Sequence, residues 1–265
     1  MPTVAAQNMY MYTHYVGNPD VTTIPGFTKT QMDAFDRGGK VTNEKVIFLT
    51  FDDWGYESDV NQLLYVLDKY KVKGNFFIRT NNVSNNPNLL RAIAVDGHMI
   101  GSHSHSHITA WHSSKGEDGT YTYESITEKE AKKLKNDVVR SYDTLNKYCG
   151  DVVVNGKKSL STIYRPPTLA VSRIGMYNIY DVGFTHIVSG NLSTADYNCE
   201  SVDELLDILR NGRSSWYGKE KVGNGSCIVM HMSSEAKYTA EALDIMIPEW
   251  QAQGYTFARL DDYLK

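Results

Sequence analysis

Cysteine is scarce in this chain: among 265 residues there are three, Cys149, Cys199 and Cys227. They lie far apart, form no CxxC pair and are odd in number, which argues against both a disulfide framework and a thiolate zinc site. Long apolar runs are missing as well. No stretch approaches the roughly 18 residues that a membrane-spanning helix needs. Nor is there an excess of positive charge. With 27 Lys and Arg against 31 Asp and Glu, the formal net charge of -4 gives no electrostatic reason to bind nucleic acid or an anionic membrane. The first residues, MPTVAAQNMYMYTHY, lack the basic and apolar regions of a signal peptide, so a cytoplasmic location and a targeting segment outside this sequence both stay open. A GxGxxG fingerprint after the first strand is also absent, which counts against a dinucleotide-binding fold.

What is present is a regular alternation. Residues 1–44 are polar, rich in Tyr and Thr, and read as an N-terminal extension, with the main domain at 45–265. KVIFLTF (45–51) is a near-continuous apolar run with β-branched and aromatic residues, the mark of a strand buried on both faces. A helix follows, with Val60, Leu63, Leu64 and Leu67 at helical spacing, then a strand at GNFFI (74–78) and a helix over 86–97. Thr127 and Glu130 form a capping box ahead of a long helix, and Ser201 with Glu204 opens another. STIYR, FTHIVSG, SCIVMH and YTFARL continue the strands, with helices between them. Such alternation implies a parallel sheet with right-handed crossovers, and without a dinucleotide fingerprint a (β/α) barrel is the expected architecture. In barrels and open α/β sheets alike, active sites gather at the carboxyl ends of strands.

Those ends carry unusual residues. Asp52 and Asp53 follow the first long strand, Arg165 follows STIY, and His231 ends SCIVMH. Two adjacent carboxylates disfavour joint ionisation unless a cation lies nearby, although an isolated Asp pair also suits a turn. Half of the eight histidines fall in DGHMIGSHSHSHITAW (96–111). In a helical turn His103 and His107 would share a face; in a strand His103, His105 and His107 would all point one way. Either arrangement beside a carboxylate would suit a metal. His98 and His186 read as packed or hydrogen-bonded interior residues. Trp54, Trp216 and Tyr217 are candidates for lining a cleft, and core packing stays open for Trp54. The polar stretch 112–125 reads as a loop near the histidines, either shaping the cleft or merely solvated.

TFDDWG (50–55), HSHSH (103–107), YRPP (164–167) and IVMH (228–231) resemble, in order and spacing, the successive motifs of the polysaccharide deacetylases. These are the NodB-homology or chitin-deacetylase-like carbohydrate esterases of family 4, and the likeness covers residues 45–262. It implies a distorted (β/α) barrel of parallel strands that holds one divalent metal, with Zn2+ expected and Co2+, Ni2+ or Mn2+ as alternatives. Carried onto this chain, Asp53, His103 and His107 would be the ligands and His105 a filler. Asp52 would be the general base, with Arg165 as its orienting partner. His231 would be the general acid, paired with Asp196, and Tyr197 would stand in the aromatic place of an Asp-Trp motif. Because Pro166 and Pro167 lack an N–H, the first backbone donor for an oxyanion in that loop is Thr168. Departures from the pattern are Met232 after His231 in place of Asp, Thr168 in place of a frequent Tyr, and no Trp near Ser189 and Gly190.

The implied partner is an acetylated polysaccharide or oligosaccharide, with removal of N-acetyl groups from N-acetylglucosamine units as the leading expectation. O-deacetylation of acetylxylan, a non-catalytic glycan-binding role and small-molecule amide hydrolysis are the rivals. A cell-wall substrate implies an extracellular protein, exported by a signal outside this sequence and acting as a monomer.

Overall fold

The computed structural model describes residues 11–12, 14–15, 41–119, 121–215 and 218–264. Nine strands within them build one sheet: β1 (Met11–Tyr12), β2 (Val46–Asp53), β3 (Asn75–Ile78), β4 (Met99–Ser102), β5 (Leu160–Tyr164), β6 (His186–Val188), β7 (Leu192–Ser193), β8 (Ser226–His231) and β9 (Thr256–Phe257). Six α-helices join them: α1 (Glu57–Lys69), α2 (Pro87–Val95), α3 (Glu128–Cys149), α4 (Arg173–Asp181), α5 (Val202–Asn211) and α6 (Thr239–Ala252). The spatial order is β1-β6-β5-β4-β3-β2-β8-β7, with β9 pairing the start of β2, and every pairing in this sheet is parallel. The sheet curls into a half-barrel whose end strands are not paired to each other among the described residues.

Strand β2 shows how the sequence positions the site. Ile47, Leu49 and Phe51 pack outward among helix residues such as Leu63, Leu67, Leu243 and Ile247. Val46 and Phe48 face the inside of the curl, against Phe77, Met99, Ile163 and Val188. Burying each such side chain contributes about 1.5–3 kcal/mol. The period of two carries Thr50 and Asp52 onto the same inner face, so that face turns polar toward the carboxyl ends. Helix starts follow local chemistry. The Thr127–Glu130 capping box is formed, and Ser201 and Ser172 each accept a hydrogen bond from the N–H three residues on.

His98 and His186 are buried and hydrogen-bonded, as their sequence contexts suggest. The His98 Nδ1 accepts from the Gly74 N–H at 3.0 Å, and burial lowers its pKa to about 3, so it is neutral. Residues 112–125 are not a simple loop. Trp111–Lys115 and Tyr121–Ser125 pair as an antiparallel hairpin; Tyr and Thr alternate in the second strand, YTYES, but the first, WHSSK, has no alternation to mark it. Within the N-terminal extension, Met11–Tyr12 pairs with Ile187–Val188 at the sheet edge, and His14–Tyr15 pairs with Ala170–Val171. Trp216 and Tyr217, cleft candidates in the sequence, lie outside the described residues.

Candidate metal centre and active site

Asp52 ends the inner row of β2 and is buried, and strand register sets His231 of β8 directly beside it. Arg165, the residue after β5, is fully buried with its guanidinium 4.1 Å above the Phe77 ring. Its Nη1 donates to Asp52 Oδ1 (2.8 Å) and Thr50 Oγ1 (2.5 Å). Its Nε donates to the Val188 carbonyl (2.9 Å) and its Nη2 to Cys227 Sγ (3.4 Å). A buried cation needs such a set of acceptors, because desolvation costs several kcal/mol per ion. Burial pushes the Asp52 carboxyl above its ordinary range, and the opposing pull of Arg165 and His231 does not cancel the rise.

Asp53 departs from strand geometry. Its φ of 77° lies in the left-handed region and ends the alternation of β2. Its Oδ1 is buried without a hydrogen-bond partner, 3.9 Å from His107 Nε2 and 3.9 Å from Arg79 Nε. Asp53, His103 and His107 each present a ligand atom, all within 4.8 Å of one another. His103 Nδ1 lies 2.9 Å from the Arg165 carbonyl; a carbonyl only accepts, so this nitrogen carries the proton and Nε2 is left to ligate. Burial lowers the pKa of both His103 and His107, keeping the imidazoles in the neutral state a cation requires. A buried carboxylate oxygen without a donor, facing two neutral imidazoles, fits a divalent cation and would leave a coordination position open.

The turn that unites the two histidines is neither helical nor extended. The chain leaves β4 at Ser102 and bends through left-handed residues Ser104 (φ 64°) and His107 (φ 60°). The helical-turn geometry is therefore corrected, and so is the strand with three aligned rings. His105 faces away from the cluster, its Nδ1 2.9 Å from Thr80 Oγ1.

On the opposite side of Asp52, the Asp196 carboxylate engages His231 twice. Its Oδ1 lies 2.7 Å from His231 Nδ1, and its Oδ2 accepts from the His231 backbone N–H at 2.8 Å. Thr239 Oγ1 donates to the same Oδ2 at 2.6 Å. Burial opposes charge on His231, but the hydrogen bond to Asp196 and the charges of Asp196, Asp52 and Asp53 outweigh it and raise its pKa. Tyr197 meets the His231 ring edge-on, with centroids 4.8 Å apart. Gly55, the last residue of the FDDWG segment, has a structural reason to lack a side chain: a Cβ there would sit 1.9 Å from the Met232 carbonyl oxygen.

A family model for polysaccharide deacetylases matches residues 39–186. The chain belongs to the polysaccharide deacetylase family. This deacetylase-family chain is 28% identical over 234 residues to the peptidoglycan-N-acetylmuramic acid deacetylase PdaA of Bacillus subtilis, covering 88% of this chain and 75% of that protein. It is 24% identical over 226 residues to a peptidoglycan-N-acetylglucosamine deacetylase of Bacillus cereus, covering 84% and 90%. The fold is shared with the family 4 acetyl xylan esterase of Clostridium thermocellum, solved in complex with cobalt (TM-score 0.60, 23% identity, 82% of this chain and 89% of that one).

Thr168 and Trp54 sit at the rim of this family fold. Thr168 (φ 64°) is exposed, and its hydroxyl accepts from Trp111 Nε1 at 2.7 Å. Leu169 beside it is also left-handed, at φ 63°. Trp54 is partly buried and packs against the larger core cluster, so its indole has a packing role. Sequence reasoning missed Trp111, Arg79 and Asp137. Arg79 follows strand β3, and the strand-end rule applied there would have found it. Asp137 lies mid-helix in α3 with no local motif to mark it.

Proposed function

We propose that this chain is a metal-dependent deacetylase that removes N-acetyl groups from N-acetylglucosamine units of peptidoglycan or a chitin-like polymer outside the cell. One observation carries the reading: the Asp52–Arg165 pair, the Asp53/His103/His107 cluster and the His231–Asp196 pair converge on one strand-end rim. The polymer is supported by what the two peptidoglycan deacetylase relatives act on by name.

A divalent cation held by Asp53, His103 and His107, with zinc expected and cobalt, nickel or manganese suited to the same donors, would acidify water and polarise the acetyl carbonyl. Asp52 takes the proton of the attacking water. Arg165 holds Asp52 in place through Oδ1. The Thr168 N–H is the donor for the developing oxyanion. As the C–N bond breaks, His231 protonates the departing nitrogen, and Asp196 supports the imidazolium.

The test is acetate release by the zinc-loaded protein from N-acetylglucosamine oligomers, peptidoglycan and acetylxylan. Release from the first two is expected. Faster initial rates on acetylxylan would make it an O-deacetylase, and no release from any substrate would leave a glycan-binding protein. A pH profile tests the acid. Because Asp196 raises the pKa of His231, the acid stays protonated to higher pH in the native chain. In Asp196→Asn the alkaline limb of kcat should move to lower pH, with a loss of at least ~10-fold at pH 8. An unmoved limb would remove His231 from the acid role.

A further inference from the structure

Between the two imidazoles of the proposed metal centre, residues 103–109 form no helix or strand, and two non-glycine residues there adopt left-handed φ. A side chain crowds the backbone in that conformation, so the turn needs outside support to hold one shape. Inner contacts supply part of it: the His103 N–H donates to the Ile78 carbonyl (2.9 Å) and the Thr80 N–H to the Ser104 carbonyl (3.2 Å). The outer side of the turn rests on a single carboxylate from a distant helix. Asp137 of α3 accepts the His105 N–H on Oδ1 at 2.7 Å and the Ser106 N–H on Oδ2 at 3.1 Å. It also accepts the Ser106 hydroxyl on Oδ2.

We propose that Asp137 is a positioning residue for the metal centre: by gathering the backbone N–H groups of His105 and Ser106, it holds the turn in the shape that brings His103 and His107 together. With the Ser106 N–H shared between both carboxylate oxygens, all of these bonds are charge-assisted, the stronger class of hydrogen bond. None touches the ligand rings, so Asp137 acts through the backbone. The inference rests on the metal-centre reading above. It also gives His105 a part, since its backbone N–H serves the clamp whatever its side chain does.

The experiment is a chelator-competition titration of Zn2+ and Co2+ on the full chain, with the visible d–d bands of the cobalt form and the melting of the metal-free form measured alongside. Asp137→Ala should weaken metal binding by about 10- to 100-fold, the range for outer partners of metal ligands, and alter the cobalt bands. Asp137→Asn, whose amide oxygen can still accept one N–H, should fall between it and the native protein. A purely structural role would lower the melting temperature and leave affinity and spectrum as they were. An Asp137→Ala affinity within threefold of native overturns the proposal. If that variant does not fold, native affinity in Asp137→Asn overturns it. Metal binding without acetate release would defeat the deacetylase reading and leave the role of Asp137 standing.

Discussion

His103→Ala, His107→Ala and Asp53→Ala are each expected to lose the metal, whereas His105→Ala keeps it. The three residues place their ligand atoms within 4.8 Å of one another, while the His105 ring turns toward Thr80. With three protein ligands, removing one leaves too few for a tight site and adds an open position. Loss should exceed the ~10- to 100-fold typical of outer partners, and acetate release should fall with it. His105→Ala removes a ring contact with Thr80 but preserves the backbone N–H that Asp137 holds. Metal stoichiometry after dialysis distinguishes the variants directly. Depletion in His105→Ala with retention in His107→Ala would reverse the ligand assignment.

The second large effect lies in the buried ion pair. Arg165→Met leaves the Asp52 carboxylate without its counter-charge and strips a hydrogen bond each from Thr50 and the Val188 carbonyl. Breaking a buried pair from one side costs about 3–5 kcal/mol, which for a chain of this length lowers the melting temperature by roughly 10 °C. Asp52→Asn has the opposite balance. The amide can still accept from Arg165, which keeps its bonds to Thr50 and the Val188 carbonyl, and the native volume is retained, so the lost counter-charge lowers the melting temperature while the fold and the metal should survive. Turnover should not, because the amide cannot take a proton; kcat should fall by about 10²- to 10⁴-fold. Thermal melts and kcat of the two variants together separate support from chemistry. A fully active Asp52→Asn would exclude this residue as the base.

Much of this arrangement is legible in the sequence because its causes are local. The run ending in Asp52-Asp53 and the SCIVMH segment are strands on burial grounds alone, and both capped helices begin where their hydroxyl and carboxyl partners sit. Strand ends then select Asp52, Arg165 and His231 without knowledge of contacts. The turn at 103–107 is not legible, because the left-handed Ser104 and His107 carry no local signal such as the Asn-Gly pair at 155–156, and Asp137, which holds the turn, lies some thirty residues away. The 111–125 hairpin was hidden for a related reason. Polar alternation signals a strand only weakly when no apolar face marks one side.

His231 and Asp52 are partners in the β8–β2 register. Neighbouring strands lie about 4.8 Å apart whatever their side chains, so the hydrogen-bonded ladder itself spaces the two groups. The proposed proton donor and proton acceptor thus stand on a gauge set by the backbone rather than by their own side chains. On the proposed reading, a different glycan is accommodated by the loops beyond the strand ends, while the spacing beneath them stays the same.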